Sequence, residues 1–546
     1  MRPTSRPGSA VTAMVSAVVM TAIWWAPTVG AAALPASPSS ATSPFVHGLL
    51  SSPQGGFLYD QYGRVVILHG VNAVYKRPPY ELYVDPGKAW NFTSKDAASI
   101  AGLGFNVVRL GIIWAGIEPG TLKTNNPAIC SPGVPHDPHQ WNQSIADSYL
   151  SRVQQTVNLL AHDHVYTLLD MHQDVYSTGF RGEGAPQWAV CTNGLPIKTL
   201  PGRWSNSYAS PSLNAAVRNF WNNSVEGDIQ GEYDRAWAAV ASTFKSDPWV
   251  VGYDPINEPF TTTLDNLSPE QLDVRLECFY TGSASPGHLL YSTKTIACSP
   301  DVPAQGLIPT IRSVDPNHLI FREPTIFASG GAPNYVGAMN YPNLVLNFHD
   351  YCSFRSGVTG NPTNLSACVA QEESTFVRRS TEGPLVATPS EPLGLPLFMS
   401  EFGATQSSAL LQNLTRVADQ SLVGWTYWSW KYYDDPTGSS AEALASPSGQ
   451  LHPIAKALSQ PYPQAVAGSL TLIDYDAGSG AFYLNFLSNP KVRAPTLITV
   501  PAQGYPRGYC ARTSAGSLQK LKGAVEVTNP KTIETVEVTV TPGPCP

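Results

Sequence analysis

Eight short apolar runs, separated by longer stretches with helical spacing, constrain the fold of this chain more than any other feature. They are "RVVILHGVN" from Arg64, "FNVVRLGIIW" from Phe105, "VYTLLDMH" from Val165, "WVVGYDPIN" from Trp249, "HLIFREP" from His318, "LVLNFHDY" from Leu344, "PLFMSE" from Pro396 and "VGWTYWSW" from Val423. Between them lie amphipathic segments such as "ADSYLSRVQQTVNLLAHD", in which Leu150, Val153, Val157 and Leu160 fall on one stripe. Strands alternating with helices over residues 64–431 predict an α/β protein, a (β/α)8 TIM barrel with inserted loops. A doubly wound open sheet is the alternative, although no G-x-G-x-x-G follows the first run. After residue 460 the pattern changes. "AVAGSLTLIDYD", "GAFYLNFLS", "PTLITVPA", "AVEVTN" and "TIETVEVTV" read as short strands between turns, a small C-terminal antiparallel β-sandwich.

The ends of the chain bear on compartment and partners. Arg2 and Arg6 precede the apolar run "AVTAMVSAVVMTAIWWAP" and the small residues of "VGAAALPA", which together read as a cleaved secretory leader. A retained membrane anchor is the other reading of that run. The expected division is therefore 1–33 leader, 34–460 barrel and 461–546 β-domain, with a Ser/Pro/Ala-rich linker near 35–44. The eight cysteines suit disulfides in an exported chain, and pairing by proximity would join Cys130–Cys191, Cys278–Cys298, Cys352–Cys368 and Cys510–Cys545. No C-x-x-C occurs. With a net charge of -7 and no Lys/Arg cluster, the chain is not expected to bind nucleic acid or another polyanion. A monomer with no metal and no cofactor is expected.

A barrel builds its site at the C-terminal ends of its strands, so polar residues that end an apolar run are the ones to inspect. They are Asn72, Arg109, Asp170 and His172, Asn257 and Glu258, Glu323, His349 and Tyr351, Glu401, and Trp428, one set per strand. Glu258 and Glu401, on the fourth and seventh strands, are the best pair for glycosidic cleavage, which needs one carboxyl to protonate the leaving oxygen and another to attack or activate water. Pro259 is expected to push Glu258 towards extended geometry and to end the strand there. Each residue also has a plainer reading: either Glu as a helix cap or ion-pair partner, Arg109 as a structural ion pair, His172 and His349 as satisfied core histidines. Asp170 and Asp174 read as supporting residues and Glu323 as structural. Trp430 competes with Trp428 as an aromatic platform.

The motifs "NVVRL", "DMHQD", "DPINEP", "NFHDY", "MSEFG" and "GWTYWSW", in this order at strand ends over residues 55–435, resemble those of glycoside hydrolase family 5, a clan of retaining (β/α)8 enzymes. The resemblance implies that Glu258 is the acid/base and Glu401 the nucleophile. It implies further that Asn257 bonds the sugar 2-hydroxyl, that Arg109 and Tyr351 contact Glu401, with Arg109 holding it ionised, that His172 and His349 orient sugar or carboxylates, and that Trp428 is the platform. "HGVNAVYKRPPY", "MHQDVYS" and the long loop after the fourth strand look like the endoglycoceramidase branch, whose members cut glycan from ceramide. That branch implies a glycosphingolipid substrate, transient contact with a membrane or micelle, and a wet groove joined to a dry one. Lys76 and Arg77 then read as contacts to sugar or to the amide region, or as a solvated basic turn. Phe260, Leu264, Leu267, Leu272, Leu276, Phe279 and Tyr280, in the insert from Pro259 to Pro300, read as a lipid wall or as ordinary loop packing. A family 5 enzyme of simpler β-glucosides, steryl glucosides or glucans, and a silent glycolipid-binding barrel, stay open as alternatives.

Overall fold

The computed structural model describes residues 46–546 apart from 121–140 and shorter stretches between 47 and 390. The expected leader, Cys130, Leu264 and Leu267 lie outside the described residues. No helix among the described residues is long and apolar enough to cross a membrane.

Eight parallel strands close into a barrel: β1 (His69–Ala73), β2 (Val107–Ile112), β3 (Tyr166–Met171), β4 (Val250–Asp254), β5 (Leu319–Arg322), β6 (Leu344–Asp350), β7 (Leu397–Gly403) and β8 (Gly424–Trp428). β8 pairs with β1 to complete the ring. Every expected run supplies one strand, but the first run is divided. Val65–Val66 leaves to pair with Leu58–Tyr59 in another sheet, and only His69–Ala73 enters the barrel. The α-helix Gln143–His162 starts at Asn142, whose side chain accepts the Ile145 N–H, and it buries Leu150, Val153, Val157 and Leu160 as its stripe requires. The repeat is interrupted once. Between β5 and β6 the described chain forms only the 3-10 turn Ile326–Gly330, in a connection broken by Pro324, Gly331, Pro333 and Pro342.

The C-terminal strands form two antiparallel sheets. One has four strands, Gly468–Asp476, Ala481–Ser488, Thr535–Pro542 and Tyr509–Thr513. The other has six, and two of them are the N-terminal pairs Leu58–Tyr59 and Val65–Val66. Phe482, Leu484 and Phe486 face Val536, Val538 and Val540 across one sheet and meet Val466, Ile498 and Val525 of the other, so the two share a core as a sandwich. The six-stranded sheet also floors the barrel. Leu58, Val66, Ala465 and Leu497 pack with Val107, Tyr166, Val251, Leu319 and Phe398, which stand at or near the N-terminal ends of the barrel strands. Tyr462 stacks on His69, the first residue of β1, with ring centroids 3.9 Å apart. The face left free for a site is thus the opposite, C-terminal end. The described disulfides are Cys278–Cys298, Cys352–Cys368 and Cys510–Cys545, and Cys191 is also disulfide-bonded.

β1 and β2 approach so closely at Gly70 that a Cβ there would lie 1.7 Å from the Val107 carbonyl oxygen. Gly70→Ala is therefore expected to lower stability by about 3 kcal/mol, read as a fall in the thermal unfolding midpoint.

Candidate active site

Strand ends bring one guanidinium among four carboxylates. Arg109, wholly buried on β2, reaches Glu401 at 2.7 Å, Asp254 at 2.8 Å, Glu323 at 2.9 Å and Asp170 at 3.0 Å. It also donates to the side-chain oxygens of Asn257 at 2.9 Å and Asn72 at 3.2 Å. A fork of five N–H donors suits this task, and a lysine could not span it. Four carboxylates in so dry a place cannot all stay charged. Burial pushes Asp170 up to about 7 and Asp254 well above the carboxylate range, with Glu323 adding repulsion to both.

Glu401 reaches the cavity because β7 bulges. Phe348 pairs with Met399 but His349 pairs with Glu401, so Ser400 is skipped and the Glu401 side chain is brought beside His349. Its Oε1 takes the Arg109 bond, and its Oε2 accepts the Tyr351 hydroxyl at 2.9 Å, with His349 Nδ1 3.4 Å away. The expectation that Arg109 keeps this group low is corrected. Burial pushes Glu401 up to about 7, Glu258 and Glu323 add to that, and His349 and Arg109 only partly offset it.

Glu258 departs from expectation in its backbone. Its φ is +40°, left-handed rather than the extended geometry expected before Pro259, and for a glutamate that is a strained conformation. The strain persists because the flanking peptides are held. The Glu258 N–H donates to Glu323 Oε2 at 2.8 Å, and Gln173 Nε2 donates to the carbonyls of Asn257 and Glu258 at 2.8 and 3.1 Å. On its side chain, Oε1 accepts from Ser329 and from His349 Nδ1, both at 3.0 Å. A carboxylate oxygen of Glu258, one of Glu401 and a ring nitrogen of His349 all lie within 4.8 Å of one another.

Glu258 and Glu401 open into a cavity of about 430 Å³ that is also lined by Asn257, Tyr351, Trp428, His172 and Lys76. Lys76 is neither solvated nor free. Its ammonium bonds Asp174 at 2.5 Å and Thr437 at 2.8 Å, lies 3.1 Å from Asp435, and sits 4.5 Å from the Trp428 ring. Burial lowers its pKa, but Asp174, Asp435 and Glu183 outweigh that and hold it well above the ordinary lysine value. His172 also stacks on Trp428, 5.3 Å between centroids, with Nδ1 2.6 Å from Asp170. Burial keeps His172 well below its ordinary pKa, hence neutral. Trp428 rather than Trp430 faces the cavity, since Trp430 is fully buried and donates to Asp96.

The insert after β4 packs inwards. Leu276, Phe279 and Tyr280 belong to the main core, with Phe279 against Phe220, Trp221 and Tyr233, so of the two readings of the insert these residues take that of ordinary packing. Phe260 alone of the described residues in that set lines an apolar pocket, together with Trp114, Tyr176, Tyr208, Phe220 and Trp221. His172 borders both this pocket and the polar cavity. Strand-end reading missed Gln173, Ser329, Asp435 and Glu442. Only Gln173 stood inside a quoted motif; Ser329, Asp435 and Glu442 come from connections whose course no periodicity reveals.

Compared with known proteins, residues 61–434 match the family described as Cellulase (glycosyl hydrolase family 5), and residues 460–541 match the Glycoside hydrolase family 5 C-terminal domain. The chain is 28% identical over 486 residues to Endoglycoceramidase I of Rhodococcus hoagii (strain 103S), covering 87% of this chain and 84% of that one. It is 27% identical over 470 residues to Endoglycoceramidase of Cyanea nozakii, covering 81% and 82%. Among solved structures, endo-glycoceramidase II from Rhodococcus sp. with a five-membered iminocyclitol superposes with a TM-score of 0.65 at 25% identity, over 90% of this chain and 100% of that one.

Removing the central cation leaves buried carboxylates unpaired. Arg109→Ala is expected to destabilise the fold by about 3 kcal/mol or more at pH 8 and by less at pH 5, where more of those carboxyls are protonated; thermal unfolding at the two pH values measures this.

Proposed function

The chain belongs to glycoside hydrolase family 5, and on that premise we propose that it is an exported, retaining endoglycosidase that cuts the β-bond between the glycan and ceramide of glycosphingolipids. The observation that carries the reading is the placement of Glu258 and Glu401 with oxygens inside 4.8 Å of each other on one cavity. Retaining enzymes hold their carboxyls about 5–5.5 Å apart, inverting ones about 6.5 Å or more.

In this mechanism Glu401 attacks the anomeric carbon while Glu258 gives its proton to the departing ceramide oxygen. Water then attacks the glycosyl–Glu401 bond, passing its proton to Glu258 and freeing the sugar. Asn257 meets the 2-hydroxyl, and Trp428, packed against His172 and Lys76, lies under the ring. Lys76, Asp174 and Glu442 offer polar contacts along the same wall.

One observation favours a lipid aglycone: the relatives named endoglycoceramidase span more than four-fifths of this chain. The aromatic pocket that adjoins the polar cavity at His172 holds only about 30 Å³ and does not itself accommodate an alkyl chain. Export fits the disulfides and the absence of a free cysteine among the described residues.

Incubation with a defined glycosphingolipid in detergent, with products weighed by mass spectrometry, should yield ceramide and intact oligosaccharide. Cleavage of aryl glucosides without any release from glycolipid would favour the simpler β-glucosidase reading instead. Glu258→Gln and Glu401→Gln should each lower turnover of the glycolipid by about 10²-fold or more, and near-normal activity in either would refute these roles. Because Glu401 must be ionised to attack, and burial pushes it up to about 7, kcat/KM should fall tenfold per pH unit below about 7. A pH–rate profile with its acid limb near 4 would contradict this.

A further inference from the structure

We propose that Glu323 is the positioning residue of the acid/base: one oxygen of its carboxylate grips the main chain of Glu258 and the other grips the His349 ring. A single anion thereby fixes where the acid/base carboxyl stands and which donor faces it. The inference rests on the roles proposed above for Glu258 and Glu401.

The first grip is the 2.8 Å bond from the Glu258 N–H to Glu323 Oε2. Glu258 is left-handed at φ +40°, so its backbone needs holding from outside. Without an acceptor there, a buried N–H is left unpaired and the peptide has reason to relax. A shift of about 1 Å in a reacting group can lower a rate by about 10²-fold.

The second grip is on His349 and is an ion pair by distance, without the geometry of a donated hydrogen bond: Nε2 lies 3.0 Å from Glu323 Oε1, an oxygen that accepts from Arg109 Nη2 at 2.9 Å. The other ring nitrogen, Nδ1, faces Glu258 at 3.0 Å and Glu401 at 3.4 Å. A ring with a carboxylate close to each nitrogen is stabilised as the imidazolium, which carries a proton on both. The groups facing His349 are Glu258, Glu323 and Glu401, with Arg109 beyond Glu323 and the Tyr351 ring edge-on at 6.5 Å. Burial works against the imidazolium, yet Glu323 first and then Glu401 hold His349 well above its ordinary pKa. Glu323 itself is kept below the usual carboxylate value: burial would raise it, and His349, Arg109 and the Glu258 N–H outweigh that. Asp170 and Asp254 beside the same guanidinium move the other way.

The consequence concerns which oxygen of Glu258 does the work. His349 and Ser329 both donate to Oε1. The transferable proton therefore sits on Oε2, leaves with the aglycone oxygen, and is replaced from water in the second step, while His349 keeps its own proton throughout.

The test is Glu323→Gln in the full chain, which keeps the size and an acceptor for the Glu258 N–H but removes the anion. Two substrates with the same sugar are compared, a dinitrophenyl glycoside that leaves without a proton and an alkyl glycoside that needs one. The expected result is a loss in kcat/KM of about 10²-fold on the alkyl substrate and under about tenfold on the aryl one. The alkaline limb of the alkyl profile should move down by about one pH unit or more. Glu258→Gln is run alongside. If Glu258→Gln shows no leaving-group split, the proposed catalytic roles fail. If it does, while Glu323→Gln loses both substrates equally with its alkaline limb unmoved, Glu323 is a structural residue and the inference is overturned. Should Glu323→Gln not fold, nitrogen-15 NMR of histidine-labelled wild-type protein decides the matter. His349, assigned through His349→Gln, should carry protons on both ring nitrogens at pH 8, and a neutral ring there overturns the inference.

Discussion

The ion cluster around Arg109 is the interaction on which the rest of the site depends. Its guanidinium is planar and permanently charged, and it draws in side chains from β3, β4, β5 and β7 at once. No one of those carboxylates would be tolerated so deep without it. The barrel interior at this level is therefore polar by construction, with Asn72, Asn257 and Asn347 filling gaps between charges. Such a centre is expensive to desolvate and is weak evidence of stability. What it supplies is direction: each carboxylate is held by Arg109 and by further partners of its own, such as Tyr351 for Glu401 and the Glu258 N–H for Glu323, which together fix its orientation.

The chain's own order made much of this readable and some of it unreadable. Each of the eight apolar runs became a barrel strand, because a run buried on all sides leaves little choice of role. The polar residue at its end was then legible as a cavity residue from topology alone. Local conformation was harder to foresee. Pro259 argued for an extended Glu258, but the acceptor that holds Glu258 otherwise, Glu323, follows the next strand, and Gln173 follows the previous one. Tertiary hydrogen bonds overrode the local preference. Lys76 shows the same limit: "KRPPY" reads as a substrate contact or a solvated basic turn, and Asp174 from after β3 together with Asp435 from beyond β8 makes it a buried, paired cation.

Charge state was the least legible property. An arginine beside a glutamate suggests a lowered pKa, and that attraction is present at Glu401. Burial and the neighbouring carboxylates are stronger here, so the net direction reverses. A pair of residues quoted from a strand end carries no information about the dielectric around them or the number of like charges within reach. The insert after β4 fails for a related reason. Its apolar residues are compatible with a lipid surface or a core, and packing partners such as Phe220 and Tyr233 chose the core.

The six-stranded sheet beneath the barrel joins the two ends of the chain, since Val66 pairs with Ala465 about 400 residues later. During synthesis the N-terminal strands must therefore wait, unpaired, until almost the whole polypeptide has emerged. The barrel floor stays uncovered for the same interval, with Val107, Tyr166 and Val251 exposed to water. Contacts of such long range slow folding and lengthen the life of sticky intermediates. The last strands of this protein therefore act as a latch on its synthesis: a chain released early, however complete its catalytic residues, has no closed bottom on which to build them.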